Sequence, residues 1–232
     1  MTQEKEWERE YRTRKLVTLG EKPGADLMDF LRFLRRKQKV DFAGLHILDL
    51  GAGAGKNAEH LAGEGAHVIG YEISETALEL ARARAKDIPL TLGGSLAYEK
   101  RDIGSPYPLA DSSIDAILDV TSSNSLDEAG RAICISESAR VLKSGGWMFV
   151  RALCKDGDDN AKNLLKMSPG AEKDTYVMPE IGITERVWTR EDFIAAYSPF
   201  FEIAQLEKKT NYSQIAGRSY KRNFWLAYLR KK

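Results

Sequence analysis

The chain has 232 residues, a hydrophobic content of 43% and a formal net charge of +1. This balance predicts a soluble globular protein, one α/β domain with additions, and excludes a wholly disordered chain. No apolar run reaches the roughly 18 residues of a membrane helix, and the charged N-terminus has no signal-peptide core. We therefore expect a cytoplasmic protein without a membrane partner. Two cysteines and three scattered histidines predict neither a disulfide framework nor a metal site.

Charge is distributed unevenly, with two basic ends around an acidic middle. Residues 1–40 contain 11 Lys/Arg and 7 Asp/Glu, and residues 205–232 contain 8 and 1. Residues 41–204 contain 16 basic and 26 acidic side chains. Basic ends suit phosphates of RNA or of a phosphorylated substrate. A solvated surface is the simpler interpretation of the same pattern.

Helical and strand patterns alternate along the chain. We predict helices over 3–15, 25–38, 56–64, 75–86, 127–142 and 190–197, and strands over 46–50, 66–71, 97–101, 113–120, 147–153, 200–207 and 223–230. Glycines at 145 and 146 are expected to end the fifth helix, and a long loop is expected between the last two strands. Such alternation predicts a parallel sheet with helices on both faces and a ligand site beyond the carboxyl ends of the strands.

A glycine-rich loop follows the first strand and opens a helix. The run Asp49-Leu50-Gly51-Ala52-Gly53-Ala54-Gly55 lets a ligand approach the main chain closely. A dinucleotide loop is usually spaced G-x-G-x-x-G and seats a pyrophosphate, which the carboxylate of Asp49 would repel. An acid at that position suits an ammonium group, as in the methionine end of S-adenosylmethionine (SAM).

Acids follow the next two strands as well. Glu72 ends the second strand, 17 residues after Gly55, where a carboxylate accepts hydrogen bonds from ribose hydroxyls. Asp102 and Ile103 follow the third strand, where a carboxylate and an aliphatic side chain suit an adenine ring. Three acids at successive strand ends favour a nucleoside ligand over three solvated loop residues.

These motifs together resemble the Rossmann-like (class I) SAM-dependent methyltransferases, in particular the small single-domain type. The resemblance is carried by HILDLGAGAGKNAEHLA, HVIGYEIS, KRDIGSPYPLADSSIDAILD and ARVLKSGGWMFVRAL, within residues 45–153. It implies a seven-stranded, mostly parallel sheet whose last strand is antiparallel. It also implies a cap over 1–40 and a SAM-binding domain over 41–232, with 154–189 as the substrate or lid insertion.

The resemblance further implies where the cofactor and its product, S-adenosylhomocysteine, bind. The implied cofactor residues are Tyr11, Asp49, Gly51, Ala52, Gly53, Gly55, Glu72, Ile73, Asp102, Ile103 and Asp119. Trp7 and Tyr11, spaced four apart, resemble the first helix of members that methylate small molecules, in which that helix covers the cofactor. Packing of two aromatic side chains against the domain explains this pair equally well.

Acceptor residues are predicted from the ends of the later strands. Asp119 ends the fourth strand and is the candidate catalytic base or orienting group. The candidate substrate residues are Trp7, Ser122, Ser123, Asn124, Tyr176 and Glu185. The acids and aromatics of 154–189 are compatible with an amine or another cationic acceptor.

The expected activity is methyl transfer from SAM to a small molecule by in-line displacement. The alternative is an RNA or protein methyltransferase that uses the basic ends. A third hypothesis is a non-methylating SAM binder or an NAD domain. The sequence predicts neither the acceptor atom nor the oligomeric state.

Overall fold

Strands and helices alternate as the sequence indicates. The computed structural model describes residues 3–17, 20, 22–90, 93–215 and 218–232. The helices are α1 (Glu4–Thr13), α2 (Ala25–Lys37), α3 (Lys56–Gly63), α4 (Glu75–Ala85), α5 (Glu128–Val141), α6 (Asp159–Met167) and α7 (Arg190–Tyr197). The strands are β1 (His46–Leu50), β2 (His67–Glu72), β3 (Ser95–Lys100), β4 (Ile114–Val120), β5 (Leu142–Leu153), β6 (Thr175–Val177), β7 (Thr184–Arg186), β8 (Phe201–Ile215) and β9 (Arg218–Lys231).

Seven strands form the main sheet in the order β3-β2-β1-β4-β5-β9-β8. The first five strands are parallel to one another, and β9 is antiparallel to both of its neighbours. The predicted seven-stranded, mostly parallel sheet with an antiparallel last strand is therefore confirmed. Because β1 has β2 on one side and β4 on the other, the strand order reverses at β1, where such sheets bind ligands.

Neighbouring residues of a strand point to opposite faces of a sheet. Apolar side chains of the strands therefore pack into two clusters, one on each face. Phe149 of β5 is fully buried and stacks on Phe30 of α2, with ring centroids 5.1 Å apart. Met148 and Val150 belong to the core on the other face, together with Phe193 of α7. The second predicted helix thus packs as part of the core of the sheet.

Side-chain caps explain why several helices begin where they do. Ser74, Asp127, Asp158 and Thr189 each accept a hydrogen bond from a backbone N–H in the first turn of the helix that follows. Such a bond satisfies one of the free N–H groups of a helix N-terminus. Within the residues that the structure describes, no helix is both long and apolar enough to cross a membrane.

The structure corrects two predicted boundaries. Helix α5 ends at Val141, and the glycines expected to end it lie inside β5. Gly145 has a φ of +76°, and the pairing of β4 with β5 shifts register between Ile114 and Ala116. The last two strands are much longer than predicted and pair along nearly their whole length, so the expected long loop is wrong. Residues 216–217 of that loop lie outside the described residues.

Segment 154–189 has more regular structure than its sequence indicates. It contains α6 and a separate two-stranded antiparallel sheet of β6 and β7. α1 is tied to this segment through Gln3, whose side chain both accepts from and donates to the backbone of Thr184. Arg9 also donates to the carbonyl of Ile181. The cap over 1–40 and the insertion over 154–189 therefore contact each other, and both boundaries stay predictions.

We expect Phe149→Ala to lower the free energy of unfolding by about 3–5 kcal/mol, because it leaves a cavity between α2 and the sheet. Urea unfolding followed by circular dichroism measures this change. Met167→Ala is the control, since that side chain is 80% exposed and should cost less than about 0.5 kcal/mol. Equal effects of the two substitutions would contradict the packing described for β5 and α2.

Candidate active site

A cavity of about 590 Å³ opens beyond the carboxyl ends of the parallel strands. Many of the predicted site residues border it: Trp7, Tyr11, Gly51, Ala52, Gly53, Glu72, Ile73, Asp102, Ile103, Ser122 and Glu185. The others do not border it: Asp49, Gly55, Asp119, Ser123, Asn124 and Tyr176. The fold therefore brings residues from α1, from four strand ends and from the insertion to one place.

Glycine is required in the loop between β1 and α3 for two reasons. Gly51 and Gly53 have φ angles of +66° and +57°, which L side chains rarely adopt. A Cβ on Gly53 would lie 2.5 Å from the hydroxyl of Tyr11, and one on Gly51 would clash with Ser122. The backbone of the loop is thus in close contact with Tyr11 and Ser122, which leaves no room for a side chain at Gly53 or Gly51.

Glu72 holds this loop from the end of β2. One of its carboxylate oxygens accepts a hydrogen bond from the N–H of Gly53 (2.9 Å), and the other accepts from Ile73 and Ser74 (both 2.8 Å). Burial raises the pKa of Glu72, although these three hydrogen bonds oppose the shift. The side chain that the sequence assigns to a ribose thus also fixes the conformation of the glycine loop.

Three buried carboxylates lie close together beneath the loop. Burial, with repulsion from Glu72 and Asp119, raises the pKa of Asp49 to about 7. Burial also raises the pKa of Asp119, and one oxygen of each aspartate has no hydrogen-bond partner among the described residues. Asp49 accepts a hydrogen bond from the N–H of Ala58 in α3, so it supports the loop from below. The electrostatic potential at the loop therefore favours a cationic ligand.

Asp119 and its neighbours form a turn behind the cavity. Its carboxylate accepts hydrogen bonds from the N–H groups of Ser122 and Ser123 (both 3.1 Å). Asn124 accepts a hydrogen bond from the N–H of Leu153 (3.3 Å) and so links β4 to the end of β5. Of the four predicted residues Asp119, Ser122, Ser123 and Asn124, only Ser122 borders the cavity. The predicted roles of the other three in binding or catalysis stay predictions.

The end of β3 contributes a second acid and an aliphatic side chain. Asp102 accepts a hydrogen bond from the N–H of Gly104 (2.8 Å), which leaves its other oxygen for a ligand. Ile103 is 7% exposed and lies at the cavity wall with Ile73. The pair is positioned as the sequence predicts, at the β2–β3 end of the cavity.

Helix α1 covers the loop and is anchored on the far side by Glu8. The Glu8 carboxylate accepts hydrogen bonds from the hydroxyls of Ser74 (2.7 Å) and Thr76 (2.6 Å). Burial opposes ionisation, but these bonds outweigh it and lower the pKa of Glu8 to about 2. Trp7 and Tyr11 face the cavity from this helix, with ring centroids 6.3 Å apart.

Sequence reasoning missed the charged residues at the other end of the cavity. Those residues are Asp26, Arg151, Lys209 and Arg222, and the neutral Asn211 donates a hydrogen bond to Asp26 among them. Lys56, directly after the glycine loop, also borders the cavity and was missed. One signal was present: Arg151 interrupts the otherwise apolar run Trp147–Leu153 of a buried strand. Arg222 and Lys209 were counted in the basic C-terminal segment, and nothing in that segment's sequence distinguishes them from its solvated charges.

Comparison with known proteins identifies this part of the chain. Residues 48–150, from β1 to β5, match the family described as "Methyltransferase domain". These residues, fewer than half of the chain, are similar to a methyltransferase domain. The resemblance proposed from the sequence motifs is confirmed, and the cofactor of this class is SAM.

Relatives of the methyltransferase domain act in several settings. A ubiquinone biosynthesis O-methyltransferase of Thiobacillus denitrificans is 33% identical over 61% of this chain and 56% of its own length. A demethylmenaquinone methyltransferase of Tropheryma whipplei is 35% identical over 47% and 41%. The match thus spans about half the length of these relatives.

Solved structures share the fold over nearly the whole chain. A SAM-dependent methyltransferase of Methanosarcina mazei has a TM-score of 0.74 at 21% identity and covers 90% of this chain and 98% of its own. The 1,6-didemethyltoxoflavin-N1-methyltransferase of Burkholderia thailandensis, solved with S-adenosylhomocysteine, has a TM-score of 0.68 at 13% identity, covering 99% and 87%. At these identities the likeness concerns the fold.

We expect Asp49→Asn to change the pH dependence of stability. Because the folded state holds the Asp49 proton to about pH 7, the wild type loses stability as pH rises from about 4 to 7, by at most about 1.4 kcal/mol per pH unit. The variant lacks this loss, so its stability relative to wild type should increase between pH 5 and pH 8. Urea unfolding at four pH values measures the difference.

The control for that series is Asp87→Asn, an exposed aspartate at the end of α4. Its difference from wild type should be the same at every pH. A difference between wild type and Asp49→Asn that does not change with pH would contradict the buried, mutually repelling carboxylates.

We expect Gly53→Ala to weaken SAM binding at least 10-fold, since the added Cβ meets Tyr11 and strains the loop. Titration calorimetry measures the dissociation constant. Gly63→Ala is the matched control, because a Cβ there meets nothing within 4 Å. Wild-type affinity in Gly53→Ala would show that the loop tolerates a side chain and that its close cover is unimportant.

Proposed function

We propose that the protein transfers a methyl group from SAM to a small-molecule acceptor held in the same cavity. The observation that carries the proposal is that one cavity joins the glycine loop and acids of the methyltransferase domain to a second, separate set of polar and apolar side chains. Its volume of about 590 Å³ lies in the range of about 300–1,000 Å³ that is usual for small-molecule sites.

The loop end of the cavity fits SAM. Bare backbone at Gly51 and Gly53 admits a ligand, and the unpartnered oxygen of Asp49 lies in a cluster that a positive charge would stabilise. We assign Glu72 to the ribose, and Asp102 with Ile73 and Ile103 to the adenine. Pyrophosphate would meet the same carboxylates, so the electrostatics disfavour a dinucleotide.

When bound, SAM supplies a methyl group on a positively charged sulfur, which departs as a neutral thioether. The task of the protein is then to align the acceptor with that methyl group and to exclude water. Trp7 and Tyr11 of α1 close the cavity over the loop, and Glu185 faces it from β7. We assign Glu185 to the acceptor wall, where it accepts a hydrogen bond from the hydroxyl of Tyr176, and Asp119 to holding the turn at Ser122.

The basic C-terminal segment supports a small acceptor better than RNA. Two of its charges are used inside the cavity, where Lys209 pairs with Asp26 (2.6 Å) and Arg222 donates to the hydroxyl of Tyr176 (2.7 Å). Charges committed to a cavity wall are not available to a polynucleotide. The small-molecule settings named for the ubiquinone and menaquinone relatives point the same way.

The cofactor is tested by measuring the free energy of unfolding of the full chain with SAM, with S-adenosylhomocysteine and with NAD. Saturation at about 100 times the dissociation constant should raise the free energy of unfolding by about 2.7 kcal/mol for SAM and its product. Glu72→Gln should weaken SAM binding about 10- to 100-fold, because it alters the ribose partner and the loop together. Glu79→Gln, on the exposed side of α4, is the matched control.

Binding of NAD in place of SAM would overturn the proposal. A second outcome would change the acceptor. If the protein binds SAM, methylates bulk tRNA in a salt-sensitive way and methylates no small hydroxylated compound or amine in a test panel, then the acceptor is RNA.

A further inference from the structure

The acceptor end of the cavity carries more positive than negative side chains. Three cationic side chains from β5, β8 and β9 border it, and two carboxylates do: Arg151, Lys209 and Arg222 against Asp26 and Glu185. This end lies at β5, β8 and β9, whereas the residues assigned to ribose and adenine follow β2 and β3 across the sheet. The excess of positive charge is therefore separate from the nucleoside end.

Among the described residues, Arg151 has one carboxylate partner, Asp26, and shares it. Its Nε donates to Asp26 at 2.9 Å, and the same carboxylate pairs with Lys209 at 2.6 Å. The guanidinium lies 3.5 Å from the ring centroid of Phe224, which fixes its plane. Lys56, which also borders the cavity, makes no ion pair among the described residues. One carboxylate thus faces several cationic groups here.

Arg222 is more deeply buried than Arg151. Burial lowers its pKa, but Tyr176, Glu185 and Asp158 raise it overall. It is 3% exposed, and one of its terminal nitrogens donates to the neutral hydroxyl of Tyr176 at 2.7 Å. Its Nε forms an ion pair with a carboxylate oxygen of Asp158 at 3.6 Å but has no hydrogen-bond partner among the described residues. That oxygen already accepts a hydrogen bond from the N–H of Asn223 at 2.6 Å. A buried guanidinium with an unused donor borders a cavity.

The two arginines also repel each other. Burial lowers the pKa of Arg151; Asp26 opposes this shift, and the charge of Arg222 adds to it. An anion between them would remove this repulsion and supply acceptors for the unused donors. Glu185 is engaged with the Tyr176 hydroxyl at 2.5 Å, so it does not take that place.

The wall around the arginines is apolar. Leu27, Leu153, Met178 and Phe224 border the cavity and belong to one apolar cluster, against which Trp7 of α1 packs. A ligand that satisfies both features has an apolar body and one anionic group. This differs from the cationic acceptor that the acids of 154–189 suggested, because Glu185 is committed to Tyr176 and the arginines come from other segments.

We propose that the acceptor carries an oxyanion, a carboxylate or a phosphate, on a largely apolar body, and that Arg222 and Arg151 bind that oxyanion. This inference rests on the proposed function, since it names the acceptor class of the same cavity. Guanidinium groups suit both oxyanions because their paired N–H donors match two oxygens at once.

Binding of matched probes to the full chain tests the oxyanion. The anionic probes are 3,4-dihydroxybenzoate, 4-hydroxycinnamate and 4-hydroxyphenyl phosphate. Their neutral analogues are the carboxamides of the two acids and, for the phosphate, hydroquinone, and tyramine is the cationic probe. Each is measured with and without S-adenosylhomocysteine. At least one anionic probe should bind about 10-fold or more tightly than its neutral analogue. The carboxylate and phosphate arms distinguish the two oxyanions. No preference for any anionic probe, or a preference for tyramine, would overturn the inference.

Variants locate the binding site of the anion. Arg222→Gln and Arg151→Gln should each reduce the preference for the anion about 10- to 100-fold and leave the affinity for the neutral analogue within about threefold. Lys221→Gln is the matched control, since Lys221 precedes Arg222 in β9 and is exposed. Loss of folding would reduce all affinities together, and Arg222→Lys, which keeps the charge, should then restore part of the preference.

The cofactor separates failure of this inference from failure of the proposed function. S-adenosylhomocysteine should bind Arg222→Gln and wild type equally well. Equal loss of S-adenosylhomocysteine affinity in both arginine variants would assign the arginines to the carboxylate of the cofactor. That result would overturn the inference but would not contradict methyl transfer to a small molecule. Failure of wild type to bind SAM would overturn the proposed function, whereas the anion preference is measured without cofactor as well.

Discussion

Burial of three carboxylates under one glycine loop is the constraint on which the site depends. Asp49, Glu72 and Asp119 lie at or next to the ends of three strands. Burial raises the pKa of each, and repulsion from Glu72 and Asp119 raises that of Asp49 further. Such an arrangement destabilises the ligand-free fold at neutral pH. In the loop itself, the backbone N–H of Gly53 donates a hydrogen bond to Glu72. The conformation of the loop and the charge beneath it therefore depend on each other.

The rest of the architecture separates two tasks within one cavity. Strands β1 to β3 present backbone and acids on one side of the point where strand order reverses, and β5, β8 and β9 present arginines and apolar side chains on the other. Helix α1 spans the cavity, anchored to α4 through Glu8 and to the insertion through Gln3. The cover therefore contacts both halves of the cavity.

Local signals in the sequence predicted most of the residues that border the cavity at the ends of β1 to β3, and none of those from β5, β8 and β9. Glycines next to a short apolar run, with Glu72 and Asp102 at later strand ends, act within about 50 residues of one another and follow known strand-to-helix geometry. Arg151 and Arg222 meet only because β9 enters the sheet beside β5, which is a pairing of distant segments. Neither periodicity nor spacing encodes that contact, and Asp26 reaches it from a third segment.

The position of β9 has a consequence for the order in which the protein is assembled. β9 is the last strand in chain order, yet it lies between β5 and β8, and β8 pairs with no other strand of the described sheet. During synthesis the first five strands can pair with one another, whereas β8 cannot pair until β9 has been made. The cofactor-binding half can thus form early, and the acceptor wall is completed last, by contacts of long sequence separation that close slowly. Until then, a nascent chain presents a loop suited to SAM but no acceptor wall beside it.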